Sequence, residues 1–134
     1  MRRAVTLAAT RALRWQESPL LVHLLPRTCG EKLAFSALAV AAGTAEELLF
    51  RGFLLPALDT ATGSAALAAL LGSAVFGFLH NDQRLAGTAR AAAIGLLLAL
   101  PVLATGSLLP SIAAHIATDL AAGLLLADWL LRRE

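Results

Sequence analysis

Apolar residues run along the chain in four stretches of helical length, about 31–58, 64–80, 85–104 and 107–131. The breaks between them carry turn chemistry: Asp59 to Gly63 holds Asp, Thr and Gly, Asn81-Asp82-Gln83 is polar, and Pro101 with Thr105-Gly106-Ser107 closes the third stretch. Ser107 is placed to cap the fourth stretch, where Pro110 is tolerated in the first turn. Strict alternation of polar and apolar residues, the mark of a membrane barrel, is absent. The pattern predicts an all-α bundle of four helices. Within it Ala69, Ser73 and Gly77 repeat every four residues, and Ala39 and Gly43 do the same on the first helix. Such spacing puts small side chains on one face and lets neighbouring backbones approach closely.

Composition decides the solvent of that bundle. Of 134 residues, 58% are hydrophobic and 15% charged, with a mean hydropathy of +0.74. A soluble domain of this size cannot hide so much apolar surface. We therefore expect an integral membrane bundle of about four transmembrane helices in residues 31–134, with no further division. Residues 1–30 read differently: Arg2, Arg3, Arg11 and Arg14 interleave with Val5, Leu7, Leu13 and Trp15. This is the make-up of a basic amphipathic arm lying on the membrane surface. The lone Cys29 excludes an internal disulfide and a cysteine metal cluster.

A formal net charge of +2 calls for no nucleic-acid partner, because the basic residues cluster at the ends of apolar segments. In a four-pass chain the arm, the loop near Arg84 and Arg90, and the tail with Arg132 and Arg133 fall on one side. The positive-inside rule makes that side cytoplasmic. Arg51 is the basic residue left inside a helix, and Glu47, one turn earlier, can pair with it and lower the cost of burying either. Glu46 points about 100° away from that pair and is left for other work.

Ionisable groups in apolar helices are costly, so where they occur they mark function. Two further four-residue spacings stack such groups on single helix faces: Phe76 with His80, and His115 with Asp119. A first turn near residue 61 puts Glu46 and His80 about 15 and 19 residues from it, a depth mismatch of ~6 Å. They can face each other. His115 lies nearer to its own turn, and bringing it level requires tilt, unequal helix ends or a break in the third segment.

These residues resemble, in order, the signature of the CAAX-protease and bacteriocin-processing (CPBP, or ABI) family of glutamic-type intramembrane endopeptidases. Glu46-Glu47-Leu48-Leu49-Phe50-Arg51 resembles its EExxxR motif, Phe76-Gly77-Phe78-Leu79-His80 its FxxxH motif, and His115-Ile116-Ala117-Thr118-Asp119 its HxxxN/D motif. Gly52 and the Thr105 to Pro110 lead-in agree, and the resemblance spans about residues 31–131. It implies a membrane-embedded endopeptidase, similar to CAAX prenyl-protein proteases. By that similarity Glu46 is the general base, His80 helps hold the water and His115 stabilises the oxyanion, with Glu47, Arg51, Asp119 and Phe76 in support. A carboxylate and two imidazoles can supply the activated water, oxyanion stabilisation and leaving-group proton that peptide hydrolysis needs. Asp119 departs from the asparagine form, since an ionised carboxylate donates no hydrogen bond. We expect it to orient His115 by accepting a ring N–H. Phe76 is expected to pack beside the pocket.

The expected partners are the lipid bilayer and a peptide or protein substrate, lipidated or not, and the expected location is a bacterial plasma membrane with both termini cytoplasmic. No cofactor is expected. Two other readings stay open on the residues: Glu46, His80, His115 and Asp119 as donors to a divalent metal, although no HExxH motif is present, and a noncatalytic scaffold or bacteriocin-immunity-type protein that keeps the polar pocket.

Overall fold

The computed structural model describes residues 24–81 and 84–125, all of whose regular structure is helical. The arm expected over residues 1–30 lies outside them except at its end, and Cys29 and Gly30 already belong to the first helix. Helix α1 (Cys29–Glu47) continues through a π-helical stretch (Leu48–Leu54) into α2 (Leu55–Thr62). Helices α3 (Ala65–Leu79), α4 (Arg84–Thr105) and α5 (Leu109–Leu120) follow, and α5 runs into a second π-helical stretch (Ala121–Leu125). The four rods follow the four apolar stretches, except that the first continues through Asp59 to Thr62, where a break was expected, and the expected end of the fourth near residue 131 lies outside the described residues.

Their ends follow local chemistry. Thr28 and Glu31 form a capping box: the Thr28 hydroxyl accepts from the Glu31 amide at 3.2 Å, and the Glu31 carboxylate accepts from the Thr28 amide at 3.1 Å. Two orphan amides are thereby satisfied, and the helix starts two residues before the apolar run does. Gly63, at φ 67°, ends α2 in the left-handed conformation that glycine adopts without penalty, and Ser64 then caps α3. Gly106 (φ 68°) ends α4 in the same way. Pro101 sits inside α4 near its end and does not break it. At α5 the Ser107 hydroxyl accepts from the Leu109 amide at 3.3 Å, and Pro110 occupies the first turn.

Packing inverts the arrangement of a soluble protein. Large apolar side chains lie outward, among them Leu33, Leu49, Phe53, Phe78, Leu97 and Leu109, while Glu47, Arg51, Ser73, Ser111 and His115 are buried. Lipid is the solvent that covers such a surface at low cost. Hydroxyls facing out, such as those of Thr44 and Thr118, donate to carbonyls of their own helix and leave no donor unpaired.

The small-residue stripes become the helix interfaces. Ala69, Ser73 and Gly77 are buried on α3, which packs along α4, and Ala39 and Gly43 are buried on α1, which packs along α5. At Gly77 a Cβ would come within 2.6 Å of the Ala92 Cβ and 2.7 Å of the Thr88 carbonyl oxygen. Gly77→Ala is therefore expected to cost about 1–3 kcal/mol through overpacking. Gly72→Ala, whose Cβ would meet nothing nearer than Leu58 at 3.8 Å, should be neutral or stabilising by up to ~1 kcal/mol. Thermal unfolding of the two variants in detergent separates these outcomes.

Two consequences of this packing position the polar groups. The turn is at Gly63 rather than near residue 61, so Glu46 and His80 each stand 17 residues from it. The expected difference in residue count from the turn therefore disappears. For His115 the answer is unequal helix ends. Helix α5 begins beside the middle of the first rod, where a Cβ on Gly52 would meet Leu108 at 3.2 Å, well short of the end of α2 at Thr62.

Candidate active site

The site is built where the regular helix of the first rod gives way. Immediately after Glu47 the backbone widens into π geometry, in which the Leu55 amide reaches the Phe50 carbonyl five residues back. An inserted residue of this kind rotates the helix beyond it against the helix before it, a device common at functional sites. Glu47 and Arg51 still meet across it: Arg51 Nη1 donates to Glu47 Oε1 at 2.9 Å, with both side chains buried. The expected local pair is present.

That pair does more than offset its own burial. Arg51 Nη2 donates to the Gly95 carbonyl of α4 at 2.5 Å. Glu47 Oε1 accepts from His115 Nδ1 at 2.7 Å, and Glu47 Oε2 lies 2.6 Å from the Ser111 hydroxyl. Ser111 also reaches the Leu98 carbonyl at 2.7 Å. Glu47 thus joins the first rod to α5, while Arg51 and Ser111 tie both to the backbone of α4. Both carboxylate oxygens are occupied, as a charge buried in low dielectric requires.

Glu46 is its opposite. It shows 34% of its side chain to the surroundings, and its Oε2 is, among the described residues, the one buried side-chain polar atom without a hydrogen-bond partner. That oxygen stands 3.7 Å from His115 Nε2, and Asp119 Oδ2 stands 3.7 Å from the same nitrogen. Neither distance is a hydrogen bond. The acceptor that orients His115 is accordingly Glu47, and not Asp119 as its hydrogen-bonding capacity led us to expect. Asp119 instead faces the reactive edge of the ring, within electrostatic reach of Glu46, His115 and His80.

The two imidazoles are held alike. His80 Nδ1 is 2.8 Å from the Phe76 carbonyl and His115 Nδ1 is 2.7 Å from the Glu47 carboxylate. Both neighbours accept, so each Nδ1 carries the hydrogen and each Nε2 is left for chemistry. Phe76 separates these rings from the cation behind them. Its centroid is 4.6 Å from His80 and 6.0 Å from His115, its ring meets Phe50 edge-on at 4.9 Å, and the Arg51 guanidinium lies over it at 5.0 Å. Gly95 makes this possible, since a Cβ there would approach Phe76 at 3.2 Å and Arg51 Nη2 at 3.4 Å. Phe76 is a wall of the site and not merely a neighbour.

Of the candidate metal donors, Glu46 and Asp119 each stand 3.7 Å from His115 Nε2. Among the described residues no three His, Cys, Asp or Glu side chains are arranged to hold an ion.

Motif reasoning missed Ser111 and the two α4 carbonyls. Ser111 carried a signal, because it lies four residues before His115 and shares a face with it and Asp119. The carbonyls carried none, since any residue supplies one.

A family model described as Type II CAAX prenyl endopeptidase Rce1-like matches residues 29–121, which include all three polar clusters. No curated protein and no solved structure matches the chain. The match covers well over half of the sequence, from the first residue of α1 to just past the end of α5. The chain therefore belongs to the Rce1-like family of type II CAAX prenyl endopeptidases, a membership that implies a membrane-embedded peptidase acting on a peptide or protein.

Proposed function

We propose that the protein hydrolyses a peptide bond with a water activated by Glu46. The observation that supports this reading is the asymmetry of two adjacent glutamates. Glu47 has no free oxygen, whereas Glu46 presents an unpartnered one beside His115 Nε2. An unpaired buried acceptor is expensive unless a water or substrate serves it.

In the mechanism we propose, Glu46 removes a proton from water held also by His80 Nε2, and the hydroxide attacks the scissile carbonyl carbon. Negative charge passes to the carbonyl oxygen. His115 Nδ1 is committed to Glu47, so His115 donates from Nε2 to that oxygen as an imidazolium, with Glu47 behind and Asp119 beside it as counter-charges. The intermediate collapses as protonated Glu46 gives its proton to the leaving amine, and the carboxylate is restored. Asp119, unable to donate when ionised, serves the charge of His115 and not the oxyanion directly.

Lipidated peptides are the substrate class to which the family points, and the outward apolar surface of the bundle suits a ligand that arrives from lipid. Glu46 and His80 each stand 17 residues from the Gly63 turn, toward the end that holds Arg84, the first residue of α4. With the basic N-terminal end of α4 cytoplasmic, the site opens to the cytoplasmic half of a plasma membrane. The test is digestion of peptides with and without a C-terminal prenyl group by purified protein in detergent. Cleavage by wild type and none by Glu46→Gln is the expected result. Unchanged cleavage by Glu46→Gln overturns the base assignment, and chelator-sensitive cleavage restored by one metal replaces it with a metal-dependent one.

A further inference from the structure

We propose that Ser111 is a positioning residue for His115, acting through Glu47; the inference rests on the peptidase reading above. Ser111 is fully buried, and its one hydroxyl lies between two acceptors from different elements, Glu47 Oε2 at 2.6 Å and the Leu98 carbonyl at 2.7 Å. A hydroxyl has a single proton and two lone pairs, so it donates to one of these at a time. Leu98 has the hydrogen bonding of its own helix to fall back on; Glu47 Oε2 has only Ser111. Donation to the carboxylate is therefore the resting arrangement.

The geometric consequence concerns the plane of the carboxylate. Two contacts fall on Glu47 Oε1, from Arg51 and His115, and a third, on Oε2, stops the group from turning about its last bond. With the plane fixed, Oε1 stays aimed at His115 Nδ1, the hydrogen stays on that nitrogen, and Nε2 faces Glu46 and Asp119. Without Ser111 the carboxylate is held at Oε1 alone, and the tautomer and aim of the ring are less firmly fixed. A second-layer group of this kind changes the rate of the chemical step more than substrate binding.

The experiment compares wild type, Ser111→Ala, Ser111→Cys and Ser111→Thr by kcat, by KM and by the imidazole ¹⁵N spectrum of His115, assigned by difference with a His115→Gln sample. Ser111→Ala and Ser111→Cys are expected to lower kcat about tenfold or more, the rate equivalent of one lost charge-assisted hydrogen bond, with KM unchanged. Their His115 spectra, recorded at a pH where the ring is neutral, should show loss of the Nδ1–H tautomer. Ser111→Thr, which keeps the hydroxyl, should restore both. If Ser111→Ala does not fold, Ser111→Cys carries the comparison, because a thiol fills the site but donates weakly. A folded alanine or cysteine variant with wild-type kcat and an unaltered His115 spectrum overturns the proposal. Glu46→Gln in the same assay keeps the two ideas apart: cleavage that survives it sinks the base assignment, whereas the His115 spectrum reports on Ser111 whatever the identity of the base.

Discussion

Glu46→Gln is expected to lower the rate of peptide cleavage by about 10²–10⁴-fold, the usual contribution of a positioned general base, while the protein stays folded. The substitution keeps size and shape and replaces a proton acceptor by an amide that cannot take a proton at working pH. Stability should barely change, because Glu46 Oε2 makes no hydrogen bond whose loss would be felt and the side chain is 34% exposed. Single-turnover rates with saturating peptide and thermal melts of the same samples make the measurement. A fall in cleavage that tracks a fall in melting temperature would return Glu46 to a structural role.

Glu47→Ala should have the larger effect on folding. It leaves the Arg51 guanidinium, the His115 Nδ1–H and the Ser111 hydroxyl without their common acceptor, all within the buried interior. Breaking a buried charge pair by removing one partner costs ~3–5 kcal/mol, a large share of the stability of a small domain. Glu47→Gln is the informative companion. Its amide oxygen can still accept from Arg51 and His115, and its NH₂ can donate to Ser111, which then donates to Leu98. That variant is expected to fold and to be slow, because His115 loses the counter-charge that supports its imidazolium form. Melting temperatures and cleavage rates for the pair separate the two roles. If Glu47→Ala melts like wild type, the network is not what holds the first rod to α5.

These contrasting expectations for neighbouring glutamates show how far the sequence reached. The spacing of Glu47 and Arg51 is local, one turn of one helix, and their ion pair is present as read. The stripes Ala69-Ser73-Gly77 and Ala39-Gly43 likewise became interfaces, because helical period alone puts such residues on one face. The orienting role expected of Asp119 rested on its capacity to accept a ring N–H, and the ring N–H goes elsewhere. Helical neighbours share a face, but a side chain turns to the best acceptor in reach, and for His115 that acceptor comes from a residue 68 positions away.

By itself, then, the amino-acid sequence determined that this is an all-α membrane bundle, the approximate course of its rods, and which residues form its three polar clusters. Each of those rests on nearest-neighbour chemistry: apolar run length, capping groups and the period of the helix. Only the tertiary structure decided which glutamate is saturated and which is open. It also decided that α5 starts beside Gly52 and brings His115 level with Glu46, and that Ser111 and the α4 carbonyls complete the network. The physical reason is that buried polar groups must find partners wherever close packing delivers them, and the small residues that permit that approach do not encode which donor meets which acceptor.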